Sequence, residues 1–262
     1  MGTITKALDL LTFFSRERPA LGLGDFVRLS GRDKATVHRH LVELAENGFL
    51  EQDRDSRAYR LGPAILRLTA VREATAPVRT VVTPLIEAMA QEVGELVHFS
   101  LLHGEQLSPV CHLDPGRHGT HVHFDEAEIL PLHATASGIA VLAFGDPALR
   151  EHVFAGQLTT YAANTPTDPD ALRALVTEAR ETGIAQAFRS FDNEVSSRAV
   201  PIFGADGTVT GALAVAMPTS RIGEHSEADI QRVLRDGAAR VTNSIGGTVP
   251  AHYRDTLARN NA

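Results

Sequence analysis

Apolar residues follow mostly helical spacing over the first third of the chain, then mix strand-like and helical runs from Glu95 onward. Ile4, Ala7, Leu8, Leu11 and Phe14 predict an N-terminal amphipathic helix, and a second short helix follows the Gly22/Gly24 turn through Phe26, Val27 and Leu29. After a break at Ser30-Gly31, Val37, Leu41 and Leu44 recur at i, i+4 and i+7, a third helix that Gly48 ends. The stretch 49–61 then divides into two short strands around a polar turn. Helix, helix, turn, helix and β-wing is the order of a winged helix-turn-helix domain, placed at 1–62.

A helical connector starts at Pro63, an allowed first-turn proline, and is assigned to 63–76. Leu61, Ile65 and Leu68 repeat along it at heptad-like intervals; after a break near Ala76-Pro77 the spacing resumes at Val78, Val82, Leu85 and Met89. A face that buries nothing else needs a partner, so the first segment is expected to meet the same helix of a second subunit. Further on, strands are expected at 96–103, 106–113, 120–124, 184–189, 197–203 and 209–217, and helices at 137–144, 146–155, 168–182 and 224–246. Antiparallel strands with helices on one or both faces make an α+β domain, placed at 77–249, with 250–262 left as a tail of no assigned role.

The 262 residues, 43% of them hydrophobic, suffice for two packed cores. A net charge of −7 looks wrong for a DNA binder until it is divided: residues 1–62 hold 10 Lys/Arg and 9 Asp/Glu, so the acidity belongs to the remainder. One cysteine, Cys111, leaves no intramolecular disulfide and fits a reducing compartment. The N-terminal helix, with Lys6 and Asp9 and no continuous apolar run, reads neither as signal peptide nor as membrane span; a cytoplasmic protein without membrane contact is expected.

The third helix carries the first candidate chemistry. Arg28, Arg32, Lys34 and Arg39 stand against one acid, Asp33, and Thr36, Arg39 and Glu43 project away from the apolar stripe. His38 and His40 add donors or acceptors, and Arg54, Arg57 and Arg60 lie on or beside the wing, within reach of phosphates or a minor groove. The plain alternatives are a solvated helix face and a hairpin kept soluble by charge.

Histidines supply a rival chemistry. Cys111, His112, His118, His121, His123 and His133 crowd one region, and on a strand His121 and His123 would share a face able to hold Zn²⁺. No His-Glu-x-x-His helix, Gly-x-Ser-x-Gly elbow or phosphate-cradling Lys loop is present, so hydrolase and nucleotide-binding readings lack an anchor; no cofactor and no metal are assigned.

Four strings then carry a family resemblance over nearly the whole chain: Thr3-Ile-Thr-Lys-Ala-Leu-Asp-Leu-Leu11, Lys34-Ala35-Thr-Val-His-Arg39, Leu130-Pro-Leu-His-Ala-Thr-Ala-Ser-Gly138, and Ala199-Val-Pro201 with Gly207-Thr-Val-Thr-Gly-Ala-Leu-Ala-Val215. The chain resembles the IclR-type bacterial transcription regulators. That resemblance implies a winged helix-turn-helix, a linker helix and a GAF-like effector-binding domain that takes a small metabolite, usually an organic acid. It also implies dimers or tetramers on a double-stranded, palindromic operator. His133, Thr135, Ala136, Ser137 and Gly138 are the expected binding string: Thr135 or Ser137 would cap the helix beginning there, whose free N–H groups suit a carboxylate, although most N-caps serve only their own helix. Phe188, Ser190, Asp192, Ser196, Ser197, Ala214 and Ala216 would form the opposite wall, with core packing the plain alternative for each. Two departures stand out: Ser196-Ser197 where many members carry a cysteine, and acidic Asp192-Asn193-Glu194, which bears on what the pocket accepts. The alternatives are a metal-dependent enzyme fused to a helix-turn-helix and a protein-binding winged helix without DNA affinity.

Overall fold

A computed structural model describes residues 2–15, 18–75, 77–224 and 227–260. The chain divides into two compact units, Met1–Pro77 and Val78–Ala262. Ala76, half of the expected connector break, lies outside the described residues.

In the first unit α1 (Thr3–Leu8) tightens into a 3₁₀ turn (Asp9–Phe13), followed by α2 (Leu23–Ser30) and α3 (Lys34–Glu46). The hairpin of β1 (Leu50–Gln52) and β2 (Tyr59–Leu61) leads into α4 (Pro63–Thr75). The N-terminal helix is shorter than its apolar spacing predicts. Moving from 3.6 to three residues per turn brings Leu10 into the core and leaves Ile4 and Leu8 exposed. Leu10, Phe26, Val37, Leu41, Leu50 and Tyr59 form that core. The turn between α2 and α3 depends on Gly31, whose φ of +63° closes α2 in the left-handed region.

The second unit is a five-stranded antiparallel sheet in the order β4-β3-β7-β6-β5, built from β3 (Leu96–His103), β4 (Gln106–Leu113), β5 (Ala185–Phe188), β6 (Val195–Phe203) and β7 (Val209–Pro218). Helices α5 (Val78–Val93) and α9 (Glu227–Ser244) cover one face over Val82, Ile86, Val200, Leu213 and Leu234. Helices α6 (Ala136–Phe144), α7 (Pro147–Ala155) and α8 (Pro169–Thr182) belong to the other, where small strand residues such as Ala185, Ala199 and Ala214 let α6 approach closely. Residues His225 and Ser226, at the expected start of α9, lie outside the described residues. The stretch read as a tail contains α10 (Ala251–Arg259), whose buried Tyr253 donates its hydroxyl to the Gly183 carbonyl at 2.9 Å.

The expected strand at 120–124 does not form. Side-chain anchors replace ladder bonds: Arg221 grips Glu95 through two bonds of 2.6 Å and donates to the Thr120 carbonyl, and His121 meets Asp114 at 2.9 Å. Phe124 packs between His98 of β3 and His112 of β4, with centroids at 4.4 and 5.0 Å. The segment therefore crosses the sheet instead of extending its edge.

Candidate nucleic-acid interface and effector cavity

The α3 helix begins at an Asp33 N-cap, whose carboxylate accepts the Thr36 N–H at 2.9 Å; that bond holds the Asp33 pKa below its ordinary value. Helical periodicity turns Val37, Leu41 and Leu44 inward and leaves Lys34, Ala35, His38 and Arg39 exposed on the N-terminal half, with Thr36 half-buried. His40 corrects the sequence expectation: three residues after Val37, it falls on the core face, is 1% exposed, and offers nothing to a groove. Neither ring nitrogen has a partner among the described residues, a cost of about 1–3 kcal/mol.

Arg32 is also drawn inward, bonded at 2.7 Å to Asp9 and at 2.6 Å to the Lys6 carbonyl, so it ties the N-terminal segment to the helix-turn-helix. Arg28 pairs with Asp25 at 2.7 Å, and Arg60 with Glu51 across the hairpin at 3.0 Å. Arg54 and Arg57 stand exposed on the wing turn, which Asp53 organises by accepting from Ser56 N–H and hydroxyl at 2.8 and 2.7 Å.

In the second unit a cavity of about 260 Å³ lies between the sheet, the N-terminus of α6 and the crossing segment 122–130. This is just below the roughly 300 Å³ at which small-molecule sites begin, and so of metabolite size. Its floor includes Ala187, Ser197 and Ala216, direct neighbours across β5, β6 and β7, with His98 of β3 beside them. Ala134, Thr135, Ala136 and Ser137 form the helix side; Tyr161, Phe191 and Asp192 come from loops. The Thr135 hydroxyl accepts the Gly138 N–H at 3.0 Å and its carbonyl takes Ile139 N–H. Ala136 and Ser137 N–H have no acceptor among the described residues, leaving two donors at the positive helix end.

Thr135, Ala136, Ser137, Ser190, Asp192, Ser197 and Ala216 thus converge as the sequence suggests. Five others do not line this cavity. Phe188 and Ser196 sit one residue out of phase with Ala187 and Ser197 and point to the opposite sheet face, Phe188 48% exposed and Ser196 buried against Arg198. Ala214 shares the floor's face but is packed in the cluster beneath α6. Gly138 serves packing, since a Cβ there would stand 2.3 Å from Leu132 Cα. His133 turns away to the Thr159 carbonyl at 2.9 Å. Against these, the sequence reading missed His98, Phe124, Asp125, Glu128, Tyr161 and Phe191; only the acidic character of Asp125-Glu-Ala-Glu128 offered a signal.

Asp125, Glu128 and Asp192 bring carboxyl groups to the cavity wall, Asp125 and Glu128 being engaged by further partners. Burial, reinforced by His112, pushes His98 down to about 3, so its imidazole is neutral at physiological pH. Burial raises the Tyr161 phenol and the charge of Glu128 adds to it. Ser190 is 4% exposed and its hydroxyl has no hydrogen-bond partner among the described residues. Behind the cavity, Glu126 accepts from Arg79 at 2.9 Å and meets His112 Nδ1 at 2.8 Å; burial raises its pKa, but these two partners more than offset that and hold it below the ordinary value. Among the described residues no three His, Cys, Asp or Glu side chains are placed to hold an ion, and burial pushes the Cys111 thiol up to about 11.

Comparison with known proteins gives one answer throughout. The profile of the bacterial transcriptional regulator IclR C-terminal domain matches residues 73–243, and that of the IclR helix-turn-helix domain matches 3–54. The HTH-type transcriptional regulator KipR of Bacillus subtilis is 26% identical over 94% of this chain and 98% of its own length. The glycerol operon regulatory protein of Streptomyces griseus is 27% identical over 93% of this chain and 96% of its own. Among solved structures, an IclR transcriptional regulator of Silicibacter sp. TM1040 is 46% identical, with a TM-score of 0.86 over 96% of this chain and 99% of that one. An IclR homologue from Microbacterium hydrocarbonoxydans, solved with 4-hydroxybenzoate, is 28% identical, with a TM-score of 0.72 over 93% of this chain and 99% of that one. With matched profiles spanning both its units, this chain belongs to the IclR family of bacterial transcriptional regulators.

Proposed function

We propose that this regulator binds a palindromic operator as a dimer or dimer-based tetramer, through Lys34, Ala35, Thr36, His38 and Arg39 of α3 and Arg54, Arg57 and Arg60 of the wing. A small organic acid or acyl compound in the second-unit cavity modulates that binding. The observation that carries this reading is a metabolite-sized cavity closed by the α6 N-terminus, whose lining residues Ala136 and Ser137 have N–H groups without an acceptor among the described residues. The 4-hydroxybenzoate held by the Microbacterium homologue supports a ligand of this size.

Dimerisation is supported by α4, where Leu66, Leu68 and Val71 are 74%, 56% and 62% exposed. One winged helix touches few base pairs, so two half-sites related by a two-fold axis are the natural route to affinity. The protein works by binding, not catalysis, as the regulators it resembles do, and in the cytoplasm with its operator. Among the described residues no helix is long and apolar enough to cross a membrane.

Retardation of its own promoter DNA, with and without 4-hydroxybenzoate and related acids, tests the reading. Sequence-selective retardation altered by at least one acid is expected. Retardation indifferent to sequence, or unaffected by every acid that calorimetry shows to bind, would contradict it.

A further inference from the structure

The segment 120–130 walls the cavity without joining the sheet as a strand, so the groups that hold it decide how it can respond to a ligand. Its ends are fixed to the rest of the unit: Arg221 donates to the Thr120 carbonyl, His121 meets Asp114, and the Leu130 N–H donates to the Leu107 carbonyl at 2.9 Å. In the middle, the Asp125 to Glu128 turn closes on itself, the Ala127 N–H reaching the Asp125 carboxylate at 2.9 Å and the Glu128 N–H the Asp125 carbonyl at 3.1 Å. Phe124 lines the cavity, whereas Glu126, two residues on, does not.

Glu126 instead holds two other elements at once. One of its carboxylate oxygens accepts from Arg79 of α5 at 2.9 Å and the other meets His112 Nδ1 of β4 at 2.8 Å. The His112 ring packs on Phe124 with centroids 5.0 Å apart, and Phe124 packs on His98 at 4.4 Å. Phe124 and His98 both line the cavity. At the other end of this chain of contacts, Arg79 is the second residue of α5 and stands four residues beyond the end of α4. Contiguous packing and hydrogen bonds thus run from the cavity wall to the first turn of the effector unit, and the half-buried Glu126 is the joint between its aromatic and ionic parts.

We infer that Glu126 is a positioning residue through which occupation of the cavity and binding of the operator influence each other, with His112 and Arg79 as its two contacts. A ligand that displaces Phe124 moves His112, and Glu126 cannot follow His112 without pulling on Arg79. This route rests on the cavity being the effector site. Because coupling between two sites is reciprocal, operator binding must act back on the cavity wall through the same contacts.

That reciprocity gives a test that needs no effector: amide hydrogen exchange of the full-length protein with and without its own promoter DNA, in wild type, Glu126→Gln and Arg79→Met. In wild type, DNA should change the protection of amides in 122–130 by about five-fold or more, the lower end of usual coupling between linked sites. In both variants that DNA-dependent change should vanish, although promoter DNA still binds and the β6 and β7 amides stay as protected as in wild type. A merely structural role for Glu126 would alter the protection of the segment without DNA and leave the DNA-dependent change in place. No DNA-dependent change in wild type, or the full change retained in either variant, overturns the inference and leaves the effector-site reading standing. That reading fails separately, if no acid that binds the protein alters retardation of the promoter.

Discussion

Arg39 and Lys34 should carry separable parts of operator affinity. Both are exposed on the N-terminal half of α3 and neither forms an ion pair among the described residues. If Arg39 reads a base edge, Arg39→Ala relaxes sequence preference and costs about 1–3 kcal/mol, whereas Lys34→Ala weakens all sequences alike and lowers the salt slope by about one. Equal discrimination between operator and scrambled DNA by wild type and Arg39→Ala would remove Arg39 from the readout. His98 makes a second test at this scale. Its folded pKa of about 3 lies below the ordinary 6.5, so the unfolded chain takes up the proton first as pH falls. The stability tied to its neutrality is complete above pH 6.5 and is lost toward pH 3, by about 1.4 kcal/mol per pH unit. His98→Gln should therefore flatten the decline of the thermal midpoint just below pH 6.5; an unchanged decline would show that the imidazole titrates freely. Single residues were also where the sequence was least legible. Ser197 against Ser196, and Ala187 against Phe188, differ only in strand parity, which composition does not reveal. His40 is a polar residue at a core position of the helical period, and its type masks its place.

Secondary-structure elements were far more legible, because periodicity and turn residues act locally. The strands at 96–103 and 106–113, joined by Gly104-Glu105, stand as β3 and β4, and the α6 to α8 helices start at Thr135, Asp146 and Asp168 caps. The segment 120–124 was misread because its anchors, Arg221 and Asp114, come from elsewhere in the chain and leave no local period. The α4 helix shows both outcomes. It begins at Pro63 as expected, but Ile65 is half-buried while Leu66, Leu68 and Val71 are exposed. Its outward apolar residues are therefore not quite the heptad-like set. Leu68→Glu with Val71→Glu should reduce the sedimentation mass to that of a monomer and weaken operator binding. An unchanged mass in a folded variant would place the subunit contact elsewhere.

For the whole molecule, regulation requires that a ligand in one unit bias DNA binding by the other. A ligand can do this only by binding two states of the protein with different affinity, so coupling and binding are distinct quantities. Arg79, the second residue of the effector unit, is joined through Glu126 to the segment carrying Asp125 and Glu128, which links the cavity wall to the start of α5. The two-unit plan was legible from the charge difference and the motifs; of the acidic lining only Asp192 was, because Asp125 and Glu128 come from the crossing segment, which no local period places against the sheet.

The central claim is that the cavity at the α6 N-terminus is the effector site and acts on operator affinity. Ser137, buried at its wall, is the place to test it. Operator titration of Ser137→Leu, with and without a compound that shifts the wild type, is the direct measurement. The account predicts operator binding within a few-fold of wild type without the compound, no response to it, and no calorimetric heat of binding. A variant that loses thermal stability yet keeps the full effector response would contradict it, reducing the string to a helix cap.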